Sequence, residues 1–248
     1  YFSEWGAAIT LSAPGYQLLT TSNQNSFAYF YGTSASAPLV AGAVSLMLAV
    51  NPDLGWRDVQ EILMMSAAPA GTPEDFVPNG MGFRYSHVFG AGKLDAEMAV
   101  RLSQHWIPLP VRQSNFTMVH EYTTAARLPQ LIFFPVGVAR RTEHVRVCME
   151  ARHLGVDVGD GSSIGVWIES PMGTRAYLTK PTTRVSIVVG CSYHDWCFTS
   201  LAHWGEATEG VWKVFVEDAN RLASQHLHRI VLTLHASEAT YGFVGCLQ

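Results

Sequence analysis

YGTSASAPLVAGAVSLMLAV, residues 31–50, sets a run of small glycine and hydroxyl residues directly before an apolar, helix-forming segment. Ser34 stands at the mouth of that helix. Gly32 allows close backbone approach, Thr33 and Ala35 keep the surroundings small, and the amides of a first helical turn favour developing negative charge. A serine hydroxyl becomes an effective nucleophile only with an imidazole to take its proton, a carboxylate to orient that imidazole, and donors aimed at the oxyanion. The chain has ten His, and none precedes His87. Pro38 fits a first helical turn, and Gly42 among Ala and Val predicts close packing on both sides. The helix is therefore expected to form the buried centre of the first domain.

Upstream, Ala8 to Ser12 alternates like a short strand and ends at the Ala13-Pro14-Gly15 turn. Thr20 to Ser26 reads as a polar loop and Phe27 to Tyr31 as an aromatic strand. Downstream, Asn51-Pro52-Asp53 stops the helix. A second helix opens at Gly55-Trp56-Arg57-Asp58 with Val59, Ile62 and Leu63 on one face, and a third runs from about Leu94 to His105 with Asp95 in its first turn. Residues 70–85, rich in Pro and Gly, read as loop. Pro108 and Pro110 mark a boundary, after which short alternating runs predict strands at Val145–Ala151, Ile164–Glu169, Arg184–Val189, Trp212–Val216 and Ile230–His235. The expected organisation is an α/β domain over 1–107 and a β-sandwich or jelly roll over 108–248.

Composition agrees with two folded domains: 48% of the 248 residues are hydrophobic and 15% charged. A net charge of −4 gives no extended basic field, so nucleic acid is not an expected partner. The apolar windows Leu39–Val50 and Leu131–Ala139 fall short of the roughly 20 residues of a spanning helix. Cys148, Cys191, Cys197 and Cys246 all lie in the second part and allow three pairings, or four buried thiols. Cys191 with Cys197 would close a small loop, and Cys148 with Cys246 would tie early strands to late ones. Asn115-Phe116-Thr117 is the one N-glycosylation sequon, consistent with a disulfide-permissive secretory compartment. His144 with His153, and His226 with His228, lack a zinc-ligand setting. Asp157, Gly159 and Asp160 read as a turn, because the full alternation of calcium ligands is missing.

Ser-Ala-Pro-Gly at 12–15, Gly-Thr-Ser-Ala-Ser-Ala-Pro at 32–38, Ala-Gly at 41–42, Trp-Arg-Asp-Val-Gln at 56–60 and Gly-Ala-Gly-Lys-Leu-Asp-Ala at 90–96 occur in one order. Ser-Pro-Met-Gly-Thr at 170–174, Tyr-His-Asp-Trp at 193–196 and His-Trp-Gly-Glu at 203–206, with Gly210-Val211-Trp212, follow. Together they resemble the kexin/furin branch of the subtilisin-like serine proteases: the carboxy-terminal part of the catalytic domain followed by the P, or homo B, domain. Departures are small: Ser22 follows Thr20-Thr21 where relatives often carry an acid, and Gly55 replaces a Thr or Ser cap.

The resemblance implies a secretory-pathway serine endopeptidase, Golgi or extracellular, whose parent protein is compatible with a membrane anchor. Such an enzyme cuts protein and peptide precursors after basic residues. Ser34 would be the nucleophile, with Gly32 and Thr33 in the substrate and oxyanion region. Calcium is expected for the intact enzyme, with no ligands assigned in this chain. Trp196, Trp204 and Trp212 would be core or domain-contact residues of a β-sandwich that stabilises the protease. Triads of this type run Asp, His, Ser along the chain, so the Asp, the His and the oxyanion amide are expected upstream of Tyr1. An amino-terminal part of the catalytic domain is thus the expected partner, and the 248 residues alone are expected to be inactive. Two other readings differ: a non-catalytic stabilising module attached to a protease remnant, and a split enzyme completed by a separate chain.

Overall fold

In the computed structural model, residues 3–23, 25–110, 113–153, 164–180, 193–218 and 225–238 are described. The first unit comprises Tyr1–Trp5, Ile9–Val77 and Arg84–Leu109. It begins with a hairpin of β1 (Leu18–Ser22) and β2 (Ser26–Phe30), then α1 (Thr33–Val50), α2 (Trp56–Ser66), a 3₁₀ turn at Pro73–Asp75, and α3 (Ala96–Gln104). The two-residue strands β3 (Val77–Pro78) and β4 (Arg84–Tyr85) lie between α2 and α3. Thr20–Ser22, expected in a loop, belong to the hairpin: Thr20 pairs with Ala28 and Ser22 with Ser26. Residues 10–12 bond through their backbones to Ala91, Gly92 and Leu94 without becoming a full strand.

The helix signals have clear causes. At α2 the Gly55 N–H donates to Asp58 Oδ2 at 2.8 Å. Buried Asp58 also accepts through Oδ1 from Trp106 Nε1 at 2.9 Å and the Leu109 N–H at 2.7 Å. At α3 the Met98 N–H donates to Asp95 Oδ1, an N-cap bond of 2.9 Å. Met47, Leu54, Ile62, Leu63 and Ala99 form the core between the three helices.

Two expectations for α1 need correction. It starts at Thr33, so Pro38 lies in the second turn and leaves the Ser34 carbonyl without its i+4 amide. Nor is it a buried centre: Ala35, Ala43 and Met47 are buried, whereas Leu39, Leu46, Leu48 and Val50 are exposed. A helix apolar on all sides needs cover on all sides. α2 and α3 cover one.

The second unit comprises Gly6–Ala8, Pro78–Phe83 and residues 110–248. Its strands are β5 (Ser114–Arg127), β6 (Gln130–Val136), β7 (Arg141–His153), β8 (Ile164–Glu169), β9 (Arg175–Thr179), β10 (Tyr193–Ser200), β11 (Gly210–Asp218) and β12 (Gln225–Ser237). They form two antiparallel four-stranded sheets, ordered β10-β7-β12-β5 and β6-β11-β8-β9. Period-two alternation drives Val145, Val147 and Met149 of one sheet, and Ile132, Phe134, Trp212, Val214, Val166 and Ile168 of the other, into the interior. The expected strand Arg184–Val189 lies outside the described residues, as do Cys191 and Cys246. Trp204 and Trp212 are buried, but Trp196 is 57% exposed, because edge strand β10 has β7 on one side only.

The disulfide joins Cys148 to Cys197. Neither Cys191–Cys197 nor Cys148–Cys246 forms, because antiparallel register sets Cys197 directly opposite Cys148, with Cα atoms 4.0 Å apart. The bridge closes a chain separation of 49 residues, so Cys148→Ala with Cys197→Ala is expected to lower stability by about 4 kcal/mol, read from urea denaturation.

On the same outer face His235 stacks on His144 with ring centroids 4.0 Å apart. Burial first, and then the Arg146 charge, lower the His235 pKa from 6.5, against an opposing effect of Glu143. Below about pH 6.5 the unfolded chain binds a proton that folded His235 resists. Stability from this group is therefore full above that value and falls as the pH drops. Urea midpoints at pH 7.5 and 5.5 are expected to differ less in His235→Gln than in the parent chain.

Two pieces from the first half of the sequence are built into this unit. Buried Asn79 donates through Nδ2 to the carbonyls of Ala202 (3.1 Å) and Trp204 (2.8 Å), and its Oδ1 accepts from the Met81 and Phe83 amides. The Gly80 N–H donates to Thr174 Oγ1 at 2.9 Å and to buried Glu206 Oε1 at 2.7 Å, and the Thr174 hydroxyl donates to the same carboxylate. Ala7 O accepts from the Leu201 N–H at 2.8 Å.

Candidate active site

The Ser34 segment is held by glycine contacts that a larger residue would spoil. Gly32 is the N-cap of α1 at φ 118°, a region that favours glycine. Its N–H donates to the Gly15 carbonyl at 2.7 Å, and its carbonyl accepts from the Ala35 N–H at 2.9 Å. Gly15 leaves no room for a side chain: a Cβ there would lie 2.4 Å from Ser36 Oγ and 2.8 Å from Gly32 O. The loop ending at Gly15 is thereby latched to the turn that presents Ser34. Tyr16 and Tyr31, next to the two latch residues, meet edge to face at 5.3 Å, and both rings are exposed.

Thr33 and Ser34 are exposed at the start of α1 while Ala35 turns inward and is buried. Among the described residues no hydrogen bond engages the Ser34 hydroxyl. Gly32, Thr33 and Ser34 are thus assembled as one exposed turn, with the helix dipole behind it. The sequence named these three, and Gly15 through its motif, but not the latch itself. Gly15→Ala is expected to cost about 1–3 kcal/mol through overpacking and to displace Ser34. Thermal denaturation checks the first effect, and the labelling rate of Ser34 in a complete catalytic domain the second.

His87 and His203 are engaged elsewhere. The His87 ring meets Trp5 at 6.4 Å and Tyr85 at 5.9 Å. His203 is fully buried, with Nδ1 3.1 Å from Ser200 Oγ, Nε2 3.2 Å from the Thr174 carbonyl and its ring against Trp212. The bond to a carbonyl requires the Nε2–H tautomer, which leaves Nδ1 to accept from Ser200. Among the described residues no group of three or more His, Cys, Asp or Glu side chains is placed to hold a metal. Calcium takes six to eight oxygens, backbone carbonyls as well as carboxylates, and no ligands for it are assigned here.

Residues 1–92 match the subtilase family, and residues 142–234 match the proprotein convertase P-domain. Rat proprotein convertase subtilisin/kexin type 4 is 34% identical over 200 residues, 75% of this chain and 28% of that protein. The dibasic-processing endoprotease of Schizosaccharomyces pombe is 32% identical over 247 residues, 88% of this chain and 33% of that protein. Furin-1 of Xenopus laevis is 30% identical over 211 residues, covering 83% and 27%. The chain thus spans about three tenths of these relatives' length. A serine protease of Aeromonas sobria, solved with its chaperone, shares the fold over 95% of this chain and 54% of its own, with a TM-score of 0.76 at 19% identity. By length and composition alone Thr33–Val50 would also suffice to cross a membrane, but it lies inside the subtilase match, where α1 is a helix of the catalytic fold. With a carboxy-terminal catalytic segment followed by a β-sandwich P domain, the chain belongs to the kexin/furin branch of the subtilisin-like serine proteases.

Proposed function

We propose that this chain supplies the nucleophile and the stabilising P domain of a secretory-pathway serine endopeptidase that processes precursor proteins after basic residues. The observation that carries the reading is the exposed Ser34 turn, latched by Gly15 to the amino terminus of α1 within the subtilase-matched segment. Ser34 Oγ attacks the scissile carbonyl while an imidazole takes its proton. The leaving amine takes that proton in turn, and water hydrolyses the acyl-enzyme. Negative charge on the tetrahedral oxygen develops near the first-turn amides of α1. On this reading the imidazole, its carboxylate and the oxyanion amide are supplied by a segment that precedes Ser34, in the Asp, His, Ser order of such triads; no His precedes His87, whose ring packs with Trp5 and Tyr85. The 248 residues alone are inactive on this reading. Selection of a basic residue before the cut is supported by the dibasic-processing relative, calcium rests on the family resemblance alone, and both belong to the complete enzyme.

A fluorophosphonate probe tests the proposal. The isolated chain is expected to remain unlabelled, and the chain joined in one polypeptide to an Asp- and His-bearing subtilase segment is expected to be labelled at Ser34 and to cut peptides after Arg or Lys. Labelling elsewhere, or a joined protein that folds and stays inert, overturns it and favours the non-catalytic stabilising module.

A further inference from the structure

β5 is an edge strand, paired with β12 on one side, and its outward residues Asn115, Thr117, Val119 and Glu121 are all exposed. Ser114 and Phe116, which alternate with them, are half-buried. Asn115 and Thr117 are the first and third residues of the Asn-Phe-Thr sequon. The orientation of the Asn115 amide follows from its neighbour across the ladder. His235 Nδ1–H donates to Asn115 Oδ1 at 2.8 Å, in a register row that continues to His144. An amide group is planar, so an oxygen engaged with β12 turns Nδ2 away from that strand. Thr117, whose hydroxyl lies 3.2 Å from that of Thr233, sits on the same outer face.

We propose that Asn115 carries an N-linked oligosaccharide whose exit from the outer face of β5 is prepared by the His235–Asn115 hydrogen bond. The inference rests on the secretory reading above. The donor is a lipid-pyrophosphate oligosaccharide: the bond between sugar C1 and the pyrophosphate oxygen breaks, a C1–N bond forms at Asn115 Nδ2, the lipid pyrophosphate leaves and the amide nitrogen loses one proton. Transfer takes place on the extended chain. The folded sheet then accommodates the product, because Oδ1 remains a carbonyl and keeps its bond to His235 while the sugar projects into solvent. Had the sequon been offset by one residue, its Asn would have faced the half-buried side of the strand.

The test expresses the 248-residue chain behind a secretion signal in a eukaryotic cell and examines cell-retained and secreted material alike, so the signal supplies the compartment whatever the native one is. Peptide mass spectrometry after peptide-N-glycosidase treatment is expected to show Asn115 converted to Asp, with one discrete mobility step lost. That step should be absent in Asn115→Gln and Thr117→Ala and present in Thr117→Ser, which keeps the hydroxyl. Unmodified Asn115 in the parent chain from either fraction, or an enzyme-sensitive step that persists in Asn115→Gln, overturns the proposal. The result is independent of Ser34 chemistry, so an inert catalytic segment leaves it standing.

Discussion

Trp212→Ala is expected to lower the stability of the β-sandwich by about 3–5 kcal/mol, a large share of the roughly 5–15 kcal/mol typical of a folded domain. Trp212 is fully buried at the centre of the β6-β11-β8-β9 sheet, its Nε1 donates to the Thr208 carbonyl at 2.9 Å, and its ring packs edge-on against His203. Truncation removes the largest fully buried side chain among the described residues, opens a cavity and leaves the Thr208 carbonyl without its indole partner. Urea denaturation followed by far-ultraviolet circular dichroism reads the change. Trp212→Phe should recover much of the packing but not the hydrogen bond, and so fall between the two. A loss below 1 kcal/mol for Trp212→Ala would mean that the ring is not part of a packed core.

Ser34→Ala, made where the Asp- and His-bearing segment is present, is expected to reduce kcat by about 10⁶, the loss typical of a subtilisin-type triad deprived of its serine or its base. Stability should change by no more than about 0.5 kcal/mol, because Ser34 is exposed at the first turn of α1. Ser45→Ala is the matched control: that hydroxyl donates to the Ala41 carbonyl within the same helix, and its removal should leave turnover intact. A residual activity within tenfold of the parent would remove Ser34 from the chemistry.

Elements whose signal is local were legible in the sequence. Asp58 and Asp95 announce the starts of α2 and α3 because each carboxylate satisfies amides of its own first turn. β8 occupies Ile164–Glu169, the span its apolar run predicts. Edges and registers were not legible. β5 is half polar because one flank is open, β6 carries apolar residues on both faces together with Pro135, and β9 is five residues long. Neither periodicity nor turn residues reveal such strands. The Cys148–Cys197 bridge depends on which strands are neighbours, a non-local fact that Cys spacing does not encode. At the site, the exposed turn that presents Ser34 was legible from Gly32, the apolar helix behind it and the longer run of motifs, whereas the Gly15 latch needed coordinates. The exposure of α1 shows the limit of composition: an apolar residue shows that a side wants cover, not that cover is at hand.

The Asn79–Gly80 turn implies that the sandwich and the protease segment are not interchangeable cassettes. A recombination point near residue 108 would separate Asn79 from the Ala202 and Trp204 carbonyls, and would strand the Glu206 carboxylate in the interior without the Gly80 amide. Sequence drift on either side of that point is therefore mutually constrained. A chimera between two members of the branch inherits a working sandwich only when residues 78–83 still supply the side-chain amide that the Ala202 and Trp204 carbonyls need and the N–H that Glu206 needs.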